Sequence, residues 1–231
     1  MPTKEPQYQI GVSIKETNQE NGPGHVSTFV RKIYGHNSKI TKHTSFFAGP
    51  VGCLINGLSF GSIPVTGQLA HSHSTDLHEA EHVMVTDVTK EQYQQAKTAQ
   101  YQFQEEVASG KRLYSVFGGF NPLATCMSQL ISVSTAAQKT HDHHKQNTGL
   151  APTEDHCGIP VYDNNVHAPI TTLKIDNCTT SVEHVLKSAG FKFDNPHIPT
   201  FFTAELEKHG FSHINKDHLQ TTTAQSTPSR K

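Results

Sequence analysis

Residues 8–16, YQIGVSIKE, alternate apolar and polar positions and read as a strand. HVSTFVRKIY reads as a second strand and KITKHTSFF as a third. NQENGPG supplies a turn before the second strand, and GHNSK reads as the hairpin loop before the third. VMVTDV is a short β-branched run that predicts a fourth strand. The period then changes. Thr89–Gln92, TKEQ, fits a capping box, and Tyr93, Ala96, Phe103 and Val107 line one side of the helix it opens, up to a stop at Gly110. A second helical stretch runs from Leu123 to Ala137. ITTLKI reads as a short strand, and a last helix is expected around Thr200–Lys208, ended by Gly210.

The most regular stripe lies in KIDNCTTSVEHVLKSAGF, residues 174–191. Val182, Val185, Leu186 and Ala189 share one helical face, and Gly190 closes the helix. Cys178 stands at its first turn beside Thr179, Thr180 and Ser181. We read it as lying off the apolar stripe and partly exposed. The rest of the chain is less periodic. Residues 48–70 read as a long ordered loop, HSHSTDLHEAEH as polar chain, and residues 138–169 as a loop or insertion. The polar end, TTTAQSTPSRK, has the composition of a disordered tail.

These elements predict one α+β domain over residues 7–213. An antiparallel sheet carries the packed cysteine helix, with a helical and loop-rich insertion at about 114–169 and a disordered tail at 214–231. A net charge of −1 and the lack of a Lys/Arg run argue against a nucleic-acid partner. No stretch approaches the ~20 apolar residues of a membrane span, so no integral membrane association is expected. Four cysteines at positions 53, 126, 157 and 178, with no C-x-x-C pair, suit a reducing compartment better than a disulfide framework. MPTKEPQYQI has no apolar segment of a secretory signal, and a cytoplasmic setting is expected.

Chemistry changes the picture at Cys178. A thiol at a helix start feels the positive end of the helix dipole, which favours thiolate. A cysteine nucleophile also needs a base within reach and a group that holds the base. His25 is the best-placed histidine, following the tight GPG turn and opening a strand. Cys126, in NPLATCMSQLIS, also precedes an apolar helical stretch and competes for the nucleophile's role, without the same flanking pattern.

GPGHVSTFV, then HTSFFAG, VTKEQYQQA, DNCTTSVEHVLKSAG and IPTFFTAELEKHG, in that order, resemble the circularly permuted papain-like cysteine hydrolases and acyltransferases. The matching segments cover about 130 residues. The resemblance implies Cys178 as nucleophile and His25 as general base. His43, on the neighbouring strand, is chosen as the orienting residue over Ser45, two residues on along the same face. It also implies oxyanion stabilisation by Asn177 or by the Cys178 backbone N–H. No cofactor is implied, and the substrate would be a protein or peptide amide. Some members of that superfamily are bacterial effectors or toxin domains, which adds delivery into a target cell's cytosol as an expected setting.

Seventeen histidines also demand a metal hypothesis. HEAEH, residues 78–82, matches H-E-x-x-H, in which His78 and His82 would bind zinc and Glu79 would act as base. That chemistry needs one helix through all five residues, and the β-branched run after His82 argues for extended chain instead. HDHH at 141–144 is a candidate for adventitious metal. A third reading is a protein-binding module on the same fold with no catalysis. The favoured expectation is thiol-dependent hydrolysis or acyl transfer at an amide or ester bond through a covalent acyl-enzyme.

Overall fold

The computed structural model describes residues 5–20, 22–35, 37–162, 167–216 and 219. The first strands fall close to the expected spans, with both faces of β1 and β2 buried at mid-strand: β1 (Gln7–Lys15), β2 (His25–Tyr34) and β3 (Asn37–Thr44). The turn before β3 includes position 36, outside the described residues. Next come β4 (Phe46–Phe47), α1 (Gly49–Leu58), β5 (Val65–Thr66), β6 (Gln68–Leu69), α2 (His73–Glu79), β7 (His82–Val88) and α3 (Lys90–Ala108). The second half holds β8 (Arg112–Tyr114), a 3-10 turn at Gly118–Phe120, α4 (Pro122–Thr148), β9 (Thr153–Glu154), β10 (Pro160–Val161) and β11 (Lys174–Asp176). It ends with α5 (Cys178–Ser188), a 3-10 turn at Pro199–Phe201, α6 (Phe202–Lys208) and β12 (Ser212–His213).

The fold is mixed α and β on a mainly antiparallel sheet, ordered β12-β7-β1-β2-β3. One face of that sheet carries Ile10, Val12, Ile14, Val26, Val30 and Met84. It buries them against Tyr93 and Ala96 of α3 and the Val182–Ala189 stripe of α5. The other face holds Phe29, Val83 and Val85 under Leu77 of α2. β3 carries a bulge opposite Val30 and Arg31, where Thr41 bonds back to the Val30 carbonyl and to the Tyr93 hydroxyl at 2.6 Å.

Several expectations are corrected. Residues 48–70 are not a loop: they contain α1, whose apolar side chains Val51, Leu54 and Leu58 are exposed. With no core face, their periodicity carried no usable signal. The polar stretch at 71–82 contains α2, capped by Ser72 and pinned by the single buried Leu77. Residues 138–148 continue α4 to Gly149, whose φ of 73° ends it. α4 buries a stripe of small residues, Ala124, Ser128, Ser132, Ala136 and Thr140, rather than large ones. Their hydroxyls serve as contacts, since Ser132 accepts the Leu173 N–H and Thr140 the Ala168 N–H.

Nor is the start of the 114–169 block a separate insertion. β8 pairs in parallel with β11, aligning Tyr114 with Asp176, so this block is bonded to the cysteine segment itself. Residues 214–216 and 219 also depart from the expected tail. Ile214 donates its N–H to Val83, and Leu219 is buried beside Phe29 and Leu77. The remainder of the expected tail, 217–218 and 220–231, lies outside the described residues.

Candidate active site

Three local features bring the chemistry to the end of the sheet where β2 begins. Gly24 has φ of +67°, and a Cβ there would meet the Lys15 carbonyl and the Thr17 amide at 2.7 Å. Only glycine makes this turn at low cost, and the turn places His25 as the first residue of β2. Opposite, β3 ends at Thr44 and the chain departs to pair Phe46 with Leu69. Ser45 is left buried at the junction. Finally, α5 starts at Cys178 under a capping box in which Asn177 Oδ1 accepts the Thr180 N–H at 2.9 Å and Thr180 Oγ1 accepts the Asn177 N–H at 2.8 Å.

Cys178 and His25, 153 positions apart in sequence, meet in a side-chain hydrogen bond. Burial would raise the thiol pKa, but the His25 contact and the N–H groups of Val26 and Thr179 hold it below its ordinary value. Burial would lower His25, but the hydrogen bond and charge of Cys178, together with the charge of Asp76, lift it above the ordinary imidazole value. The two shifts are opposite in sign and favour thiolate beside imidazolium.

Cys178 itself is only 7% exposed, contrary to the expectation of a partly exposed residue. The physical reason is simple spacing. It lies four residues ahead of Val182, one helical turn, so it extends the apolar stripe instead of leaving it. The other three cysteines, including Cys126 on α4, are exposed.

The group on His25 is Ser45, not His43. His25 Nε2 bonds Ser45 Oγ at 2.8 Å. Ser45 in turn hydrogen-bonds Asp76, and His43 Nε2 bonds Asp76 Oδ2 at 2.8 Å. Burial would raise the Asp76 pKa, but the hydrogen bond from His43 and the charge of His25 hold it below its ordinary value. The chain of contacts is therefore Cys178, His25, Ser45, Asp76, with His43 also bonded to the carboxylate. Asp76 had no sequence signal, since it sits in a polar stretch whose helix rests on one leucine. Ser45 was visible as a same-face neighbour of His43.

Asn177 is likewise reassigned by its contacts. Its Oδ1 caps α5 and also accepts from Thr179 Oγ1 at 2.8 Å, while its Nδ2 donates to the Val116 carbonyl at 3.0 Å. The side chain is thus a joint between α5 and the 114–120 segment. Two further donors on the same side of the site are the Cys178 backbone N–H, at the start of the helix, and the Tyr114 phenol. Tyr114 and Cys178 line the same cavity. Burial and the charges of Cys178 and Cys53 push the phenol pKa upward, which keeps it a donor.

The HEAEH residues do not share a helix. His78 and Glu79 finish α2, Ala80 is extended, and His82 opens β7, where its ring bonds Glu16 at 3.1 Å. HDHH lies on the last turns of α4, not in a loop. Among the described residues, the His/Cys/acid group close enough to share an ion is Asp155, His156 and Cys157. These are consecutive exposed residues of a tight turn in which Asp155 Oδ1 already accepts the N–H groups of Cys157 and Ile159. Among the described residues no helix is long and apolar enough to cross a membrane. Comparison of the chain with family models, curated proteins and solved structures finds no match.

Proposed function

We propose that the chain is a thiol-dependent hydrolase or acyltransferase of the permuted papain-like kind, with Cys178 as nucleophile and His25 as its acid–base partner. The observation that carries this reading is the Cys178–His25 hydrogen bond with its opposed pKa shifts. The order of the parts along the chain, histidine strand first and cysteine helix last, supports the permuted relationship.

Ser45 occupies His25 Nε2, so Nδ1 is the nitrogen left to take the thiol proton. The thiolate forms a C–S bond to the substrate carbonyl carbon, and the carbonyl electron pair moves onto oxygen. The Cys178 N–H and the Tyr114 hydroxyl stabilise that oxyanion. When the intermediate collapses, the C–N or C–O bond breaks and His25 returns its proton to the leaving atom. Water or an alcohol or amine acceptor, deprotonated by His25, then attacks the thioester and releases the thiolate. Ser45 and Asp76 hold the imidazole in one orientation and stabilise its cationic form.

Incubation with p-nitrophenyl acetate, followed by peptide mass mapping, tests the reading. The expected adduct is an acetyl thioester on Cys178, absent in Cys178→Ala and strongly reduced in His25→Ala. Acetylation spread over Cys53, Cys126 and Cys157 with none on Cys178 overturns it.

A further inference from the structure

Beside the thiol lies a cavity of about 450 Å3, within the range of small-ligand sites. Val116, Phe117, Phe120, Ile198 and Pro199 form its apolar wall. Among the described residues, none on the lining is Asp, Glu, Lys or Arg. Three of the polar side chains on the wall, Thr17, Asn177 and Thr179, are occupied within the protein, and the Tyr114 hydroxyl lies at the thiol end. Thr17 Oγ1 donates to the Pro23 carbonyl at 2.7 Å, Thr179 Oγ1 to Asn177 Oδ1, and Asn177 Nδ2 to the Val116 carbonyl. The His197 ring lies against Phe120, tilted by 59° with ring centroids 4.0 Å apart. A peptide entering here would bring amide groups that need partners, at a cost of about 1–3 kcal/mol for each group left unpaired. A hydrocarbon chain needs none.

The surroundings extend the same character. Residues 48–70 and 113–138 contain no Asp, Glu, Lys or Arg. The two segments are bonded together beside the Val116 part of the wall: Ser115 Oγ donates to the Gly61 carbonyl at 2.8 Å and the Val116 N–H to Asn56 Oδ1 at 2.7 Å.

We propose that this cavity is the acyl subsite of the Cys178 centre, and that the substrate is an ester, thioester or amide whose acyl half is an apolar aliphatic chain. The inference rests on the thiol reading above and adds the substrate class, which differs from the peptide amide expected from sequence.

The test uses N-alkyl iodoacetamides with methyl, butyl and octyl groups on the full chain. Alkylation rates are read separately at each cysteine by mass mapping, with exposed Cys157 as the internal reference. Each methylene buried in the transition state can raise the rate up to about fourfold. The octyl-to-methyl rate ratio at Cys178 is expected to exceed that at Cys157 by at least about thirtyfold, an increment of about 2 kcal/mol over the whole chain. Phe117→Asp and Phe120→Asp, both changes of half-exposed or exposed rings, should each pull the Cys178 ratio down towards the Cys157 value. A Cys178 that reacts readily with the methyl reagent but shows the Cys157 ratio overturns the acyl subsite and leaves the thiol reading intact. A Cys178 unreactive even to the methyl reagent overturns the thiol reading and this inference with it.

Discussion

At the scale of single residues, the site is a line of unequal contacts, and each makes a different kinetic prediction. Ser45 is the link between His25 and Asp76. A hydrogen bond to a charged group contributes about 1.5–3 kcal/mol, so Ser45→Ala should lower kcat about 10- to 100-fold. His43→Gln keeps a polar partner near Asp76, and the His43 hydrogen bond goes to that carboxylate and not to His25, so its loss should be smaller. Steady-state kinetics of both variants decide the order; a larger effect at His43 would restore it as the orienting residue. Tyr114 makes a separate prediction. Loss of one oxyanion donor typically costs about 10²–10³ in kcat. Tyr114→Phe should approach that loss while Cys178 alkylation by iodoacetamide continues at the wild-type rate, because alkylation develops no oxyanion. Equal losses in both assays would mean that the phenol tunes the thiol instead.

Among the elements, α5 is the one whose local chemistry and packing agree most fully. Its stripe, its stop and its cysteine were legible because an apolar face repeated over two turns leaves little alternative to a helix. Its cap was less obvious. Asn177 lies beside the candidate nucleophile and invites a catalytic role, yet its three hydrogen bonds go to the Thr180 N–H, the Thr179 hydroxyl and the Val116 carbonyl. Asn177→Ala should therefore destabilise the fold by about 1–2 kcal/mol, the usual range for an N-cap. Asn177→Asp should recover the cap but not the bond to Val116, leaving an intermediate urea midpoint. A large fall in kcat with an unchanged midpoint would instead support oxyanion binding by its side chain. α2 and the end of α4 show why other elements were illegible. One is held by a single buried leucine, the other by a stripe of Ala, Ser and Thr, and neither pattern stands out in a hydrophobic/polar reading.

For the whole molecule, the sheet order brings residues far apart in sequence to one end of the fold. The strand patterns and the β-branched run at VMVTDV predicted β1, β2, β3 and β7, but not the departure of the chain after Thr44, beside the end of β2 and α5. Nor could it predict the parallel pairing of β8 with β11. That pairing is anchored where Arg112 bonds Glu106 and Asp176 at 2.6 Å each, contacts between side chains that no periodicity records. Together they turn a strand end and a helix start into one site, and they give it a pH dependence. The thiol pKa is depressed and the imidazole pKa raised. Activity should fall on the acid side as Cys178 takes a proton and on the alkaline side as His25 loses one, with the two limbs belonging to the pair.

The most direct measurement is the rate of Cys178 alkylation by iodoacetamide from about pH 4 to 10, in the wild type and in His25→Ala. The coupled pair predicts that the wild-type thiol stays reactive well below the free-cysteine pKa of about 8.5, and that His25→Ala moves the midpoint upward. A midpoint at or above that value, unmoved by His25→Ala, would contradict the account.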